Sequence, residues 1–219
     1  MKKLFLFICF LWVSAGGAFP QQPDGVGNLN ETLRAIREKD QGIRLQTASA
    51  LKNQNLDSLI LLMQQSALID AENQRVVFEI LADGWPENLS DTANSAIFLV
   101  IQHADVARQK EFREIVKEAA YGGKLPKSSW AALEDRVLMR DNKKQLYGTQ
   151  TKMFQAFPEG TQVCYIWPIE DVENVDIRRE EIGLPPMEEY ILKVETFYGL
   201  KVIWDKTLSV EALLEREQQ

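Results

Sequence analysis

The chain has 219 residues, 45% of them hydrophobic and 26% charged, with a formal net charge of −7 and a single histidine, His103. That length suits one globular domain with a sizeable core. An acidic balance with no arginine- or lysine-rich stripe excludes nucleic acid as an expected partner, and a lone histidine excludes a zinc site built from several.

Residues 1–18 read as a secretory signal peptide. Lys2 and Lys3 form the positive start, residues 4–14 an apolar run, and Ala15-Gly16-Gly17-Ala18 the small residues for cleavage near Ala18. The apolar run is shorter than the ~20 residues a spanning helix needs. The expected product is therefore exported, periplasmic or secreted, with no stable membrane span after cleavage. Residues 19–28 read as a tether and 29–219 as a single globular domain. Cleavage removes Cys9, which leaves Cys164 without an intramolecular disulfide partner. In the strand-like run Gln162-Val163-Cys164-Tyr165-Ile166-Trp167 it reads as a small buried hydrophobe rather than a nucleophile.

The first half reads as helical. Residues 29–39 place Leu29, Leu33 and Ile36 on one face, and a further helical stretch covers 43–52. Residues 57–81 show a broken 3.6-residue periodicity, as one helix or as two joined near Ser66. Gly84, Trp85 and Pro86 end it. Asp91 is the expected N-cap of a helix over 92–104, apolar all round at residues 96–101 and hence central in a domain. Helix continues over 108–120 and stops at Gly122-Gly123.

The second half changes character. Residues 136–140 and 145–151 flank the polar Asp141-Asn142-Lys143-Lys144 and predict a β-hairpin, with 163–166 as a third antiparallel strand. A short helix over 171–179, another from Pro185-Pro186 to about Phe197, a strand over 201–204 and a terminal helix over 210–216 complete the chain. The expected class is α+β, mainly a helical bundle with a small antiparallel sheet.

Several short motifs share an order and spacing: Ile69-Asp70-Ala71-Glu72-Asn73, Gly84-Trp85-Pro86, Gln102-His103-Ala104-Asp105, Asp135-Arg136-Val137, Gln145-Leu146-Tyr147-Gly148-Thr149-Gln150, Asp176-Ile177-Arg178-Arg179 and Gly183-Leu184. In these the chain resembles an uncharacterised bacterial domain family of unknown function, over about Leu56 to Tyr190. The resemblance implies an α-rich domain in which these polar motifs belong together, and it implies no reaction. The family commonly has a glycine in the hairpin turn, where this chain has Asp141-Asn142-Lys143-Lys144.

His103 is the default proton handler, because histidine alone titrates near neutrality when unperturbed. It reads either as a core histidine holding a hydrogen bond or as a general acid or base. Asp105 lies about 200° round a regular helix from it and can orient the ring only if the helix ends at His103. Otherwise the orienting carboxylate is Asp135 or Asp70. Asp70 and Asn73 share a helix face, as a solvated face or as ligand contacts. Arg136 suits a bidentate grip on carboxylate or phosphate, or a structural bridge to Asp105 or Asp176. Gln145, Tyr147 and Thr149 alternate onto one face of a strand, with Gly148 and Gln150 on the other. Arg178 and Arg179 add positive charge to a pocket there, or pair with Asp171, Glu173 or Asp176.

No phosphate-cradling glycine loop, nucleophile elbow or calcium loop is present. The leading expectation is a metal-independent, cofactor-free enzyme of hydrolytic type acting on a small-molecule or envelope ligand. His103 would be acid or base, oriented by Asp105 or Asp135. Asp70, Asn73, Gln102, Arg136, Gln145, Tyr147, Thr149, Gln150, Arg178 and Arg179 would bind substrate. The alternative is a non-catalytic ligand-binding or interaction protein in which the same polar motifs form a structural network.

Overall fold

The structure, a computed structural model, describes residues 24–155 and 162–218, divided into two compact units, 24–130 and 131–218. The expected signal peptide over 1–18, and the tether as far as residue 23, lie outside the described residues. No helix among the described residues is long and apolar enough to cross a membrane.

The first unit is helical. Helix α1 spans Asp24–Lys52, taking in residues 24–28, and α2 spans Leu56–Ile80. A 3-10 turn at Leu81–Asp83 leads to α3 (Asp91–Gln102), α4 (Val106–Glu111) and α5 (Arg113–Tyr121). Helices α1, α2 and α3 pack on one another. Leu33, Ile36 and Ile43 of α1 are buried, as are Leu59 and Val77 of α2 and Ala93, Ala96, Ile97, Val100 and Ile101 of α3.

One expected interruption does not occur, and of the two alternatives for residues 57–81 the single helix is the one formed. Helix α1 runs straight through Asp40-Gln41-Gly42, where the sequence suggested a break, because the stripe Leu33, Ile36, Ile43 continues in phase on both sides. Packing of that stripe outweighs the roughly 1 kcal/mol that a helical glycine costs. Helix α2 passes Ser66 unbroken, the hydroxyl donating back to the Leu62 carbonyl at 2.8 Å. The N-cap of α3 is Ser90 rather than Asp91, with Ser90 Oγ accepting from the Ala93 amide at 3.2 Å.

Helix α6 (Lys127–Arg140) carries the chain into the second unit. It corrects the hairpin expected from 136–140 and 145–151. Val137-Leu138-Met139 is a short apolar run whose composition suits strand or helix equally. The buried residues Trp130, Leu133 and Val137 give it helical phase. Asn142, in the left-handed region at φ 54°, then ends the helix, so the polar stretch is a helix stop and not a hairpin turn.

The strands lie further on. β1 (Thr151–Gln155) pairs antiparallel with β2 (Gln162–Ile166), Met153 opposite Cys164. After α7 (Val175–Glu181) and α8 (Met187–Tyr198), β3 (Lys201–Ile203) joins β2 in parallel, Cys164 opposite Val202, and α9 (Val210–Gln218) closes the described chain. The sheet, in order β1-β2-β3, is therefore mixed rather than antiparallel. A parallel partner needs a crossover long enough to return the chain, and α7 and α8 lie within it. The class is α+β and mainly helical, as expected, and the segments expected as strands at 163–166 and 201–204 are β2 and β3. Cys164 is wholly buried, and burial pushes its thiol up to about 11, which suits a packing role.

Candidate functional site

His103 is the first residue past α3. Its amide still donates to the Leu99 carbonyl at 3.0 Å, but the helix ends there. The ring turns to α1, where Nδ1 lies 2.8 Å from Oδ1 of Asp40. Asp40 occupies a place in the stripe Leu33, Ile36, Asp40, Ile43, on the buried face of α1, and its side chain is 1% exposed. Gln41 Nε2 donates to its other oxygen at 2.6 Å. Arg44, one turn along α1, donates from Nη2 to Asp40 Oδ1 at 3.4 Å and, from the same nitrogen, closely to Asp70 Oδ1 on α2.

Burial alone would raise the Asp40 carboxyl. The hydrogen bond and charge of His103, the charge of Arg44 and the Gln41 amide outweigh it and hold the group below the usual carboxylate range. Side-chain exposure rises from Asp40 at 1% through His103 at 9% and Asp70 at 18% to Arg44 at 25%. The pair is thus anchored in the interior and has a rim. Two carboxylates and a guanidinium meet beside the imidazole.

Oxygen and nitrogen atoms of Asp40, Asp70 and His103 that could ligate a metal lie within 4.8 Å of one another. Arg44 already occupies the cation position, bonded to both carboxylates, and a metal ion would have to displace it. Asn73, one turn along α2 from Asp70, is 2% exposed and its Nδ2 has no hydrogen-bond partner.

The orienting carboxylate is therefore Asp40, not Asp105 or Asp135. Asp105 caps α4, accepting from the Arg108 amide at 2.9 Å. Gln102 is fully buried, and its backbone carbonyl accepts from Gln109 Nε2 at 2.8 Å. The sequence carried one sign of Asp40, a charged residue in phase with an apolar stripe.

The remaining expected residues belong to the second unit, and all but Arg136 converge on the loop 145–150. Asp135, on α6, is completely buried. Its Oδ1 accepts from the amides of Leu146 at 2.7 Å and Tyr147 at 3.1 Å. Its Oδ2 accepts from the Thr149 amide at 3.0 Å and hydroxyl at 2.9 Å. Burial raises the carboxyl to about 6 against the pull of these donors. Arg136, its neighbour on α6, is 3% exposed.

The loop carbonyls are held as fully as its amides. Arg178 Nε donates to Leu146 O at 3.0 Å, Arg179 Nη1 to Tyr147 O at 2.6 Å, and Tyr190 Oη to Thr149 O at 2.8 Å. Arg179 also donates from Nε to Pro185 O at 2.6 Å and lies over the Tyr190 ring. Burial lowers its guanidinium pKa, against the charges of Tyr190, Asp176 and Asp135. Gln145 spans the ends of the loop, with Nε2 donating to the carbonyls of Gln150 at 3.0 Å and Trp167 at 2.7 Å and Oε1 accepting from the Gln150 amide at 2.8 Å. Gln150 Nε2 reaches Ala132 O at 3.2 Å. Gly148 has φ +69°, and a Cβ there would lie 2.6 Å from Met187 Sδ. Tyr190, Trp167 and Met187 were not foreseen as parts of this network.

Over residues 27–203 the chain matches the model of a family of unknown function, DUF6624. The chain belongs to this family. The match takes in every motif residue of both the His103 cluster and the 145–150 loop, so the family's domain includes parts of both units. No curated protein matches the chain, and no solved structure does.

Proposed function

We propose that this member of DUF6624 is an acid–base enzyme of hydrolytic type, with His103 as the proton-transferring group and Asp40 as its orienting carboxylate. The observation that carries the reading is the 2.8 Å contact between His103 Nδ1 and the buried Asp40. A carboxylate on Nδ1 fixes the ring's orientation and, in the neutral ring, leaves the basic lone pair on Nε2. Such a base takes a proton from water as it attacks and returns it to the leaving group. Arg44 on both carboxylates supports a reaction that does not pass through a metal. The substrate is a small molecule or an envelope component, met at the rim formed by Asp70 and Arg44. The N-terminal pattern supports a bacterial exported protein, periplasmic or secreted.

The test is turnover of p-nitrophenyl esters, phosphates and glycosides and of a peptide anilide by the purified chain. His103→Gln should lower the responding activity by ~10²–10⁴-fold, and Asp40→Asn by at least ~10²-fold through the wrong tautomer. Folded His103→Gln protein with undiminished turnover, or no turnover of any of these substrates by the wild type, sinks the reading.

One observation favours a second reading, a non-catalytic ligand-binding or interaction protein with structural motifs. Asp135 is enclosed by donors from 146–149, and Arg178, Arg179 and Tyr190 hold the loop's carbonyls. These groups serve each other, as a fold-determining network does. We assign Asp135, Gln145, Gln150, Arg178 and Arg179 to that scaffold role under either reading.

A further inference from the structure

We propose that Arg44 is a positioning residue for the His103–Asp40 pair: by sharing Asp40 Oδ1 with the imidazole, it lets the carboxylate orient the ring without fixing a proton on it. The proposal rests on the reading of His103 as a proton-transferring group.

A buried carboxylate bonded to an imidazole alone favours the imidazolium, because an opposite charge at hydrogen-bond distance stabilises the charged form. A general base has to be neutral at its working pH. Asp40 therefore needs a second positive partner if it is to orient His103 without protonating it. The structure supplies one. Arg44 Nη2 and His103 Nδ1 meet the same oxygen, at 3.4 and 2.8 Å, while Gln41 serves the other oxygen at 2.6 Å.

Asp70 draws on the same charge. It receives the same Arg44 nitrogen from α2 and so takes part of the guanidinium's charge away from Asp40. The charged groups near the ring among the described residues include Asp40 and Arg44 from α1 and Asp70 from α2, with Asp105 following it in sequence and engaged by the Arg108 amide. One nitrogen of Arg44 meets both carboxylates, so a lysine ammonium can keep the charge there.

The single histidine makes the test direct, since a tag-free chain gives one imidazole signal in an NMR titration. Arg44→Gln should raise the midpoint of that signal by about one pH unit or more, as loss of a nearby positive charge demands. Arg44→Lys should leave the midpoint within a few tenths of a unit, because the charge is kept. Asp70→Asn should lower it, by removing a negative charge and releasing Arg44 entirely to Asp40. Far-UV circular dichroism checks the helices of each variant, and if Arg44→Gln does not fold, the double variant Arg44→Gln/Asp70→Asn, which leaves one carboxylate fewer without the guanidinium, carries the test: its midpoint should lie above that of Asp70→Asn alone.

A merely structural Arg44 would change the melting temperature and leave the midpoint where it is. An unchanged or lowered midpoint in folded Arg44→Gln overturns the proposal. The titration needs no substrate, so its outcome is separate from that of the turnover assay. A raised midpoint in a chain that turns over nothing would retain Arg44's hold on the pair and remove the enzyme reading. An unmoved midpoint in a His103-dependent enzyme would do the reverse.

Discussion

Asp135 should make the protein less stable as the pH rises from acid towards neutral, the opposite of the usual aspartate. Its burial is complete, and its carboxyl is raised from the ordinary 3.8 to about 6. Between those two values the folded chain keeps a proton that the unfolded chain has released. Stability from this group is therefore whole below pH 3.8 and is lost as the pH climbs through about 6. A shift of about two units, at ~1.4 kcal/mol each, amounts to about 3 kcal/mol. Asp135→Asn abolishes the titration at nearly constant shape. Whatever fixed cost the amide brings, from pointing NH₂ at the loop's donors, cancels when each protein is compared with itself across pH. Urea unfolding at a series of pH values from about 4 to about 7 should then show the wild type losing about 2.4 kcal/mol of this relative to the variant. The opposite slope would refute the reasoning. It would mean that the donors from Leu146, Tyr147 and Thr149 outweigh desolvation and hold the carboxylate below its ordinary range.

Two glycines give predictions of opposite sign. Gly148→Ala adds a Cβ within 2.6 Å of Met187 Sδ and 2.9 Å of Ile169 Cδ1 at φ +69°, so left-handed strain and overpacking together should cost about 2–4 kcal/mol in thermal or urea unfolding. A cost below about 0.5 kcal/mol would show that Met187 moves aside freely. Gly42→Ala, within α1 and with nothing within 4 Å of the added atom, should stabilise by roughly 0.5–1 kcal/mol. A loss of stability there would mean that α1 needs its glycine for a reason that helix propensity does not contain.

Much of the helical architecture was legible because one buried face imposes a period on the sequence. The stripe of α1, the broken periodicity of α2 and the apolar middle of α3 announce helices at nearly their observed places. The same evidence was too short at 136–140. Three apolar residues in a row have no period, and only Trp130 and Leu133 upstream supply it. The sheet was misplaced for a related reason. Polar residues at 145–150 alternate as those of a strand do, yet most of their partners are side chains and carbonyls on other elements rather than a neighbouring strand. Nor does local sequence report that 201–203 returns beside 163–165 in parallel.

The candidate site was half legible, and the missing half is instructive. His103 drew attention by its chemistry, but its partner lies 63 positions away. Candidates near it in sequence, such as Asp105, are spent on capping. Asp40 was hidden because Asp40-Gln41-Gly42 resembles a helix end. Had α1 been taken as continuous, an aspartate in register with Leu33, Ile36 and Ile43 would have stood out as a buried charge in need of a cation.

That need separates the two polar networks in kind. Around the 145–150 loop, the carboxylate of Asp135 meets backbone amides and a hydroxyl, and the guanidinium groups of Arg178 and Arg179 meet backbone carbonyls, with Arg178 also paired to the exposed Asp171. For the buried Asp135 and Arg179 neutral dipoles do the solvating, and gain or loss of a proton on Asp135 is felt as stability. Around His103 the partners are themselves ionised, Asp40 and Asp70 against Arg44, so charges of both signs bear on the imidazole. A group poised between them at a partly open rim can exchange a proton with whatever arrives. Chemistry is therefore to be sought at His103 and its three charged neighbours, and the tyrosine–glycine–threonine loop is to be sought out for what keeps its own unit folded.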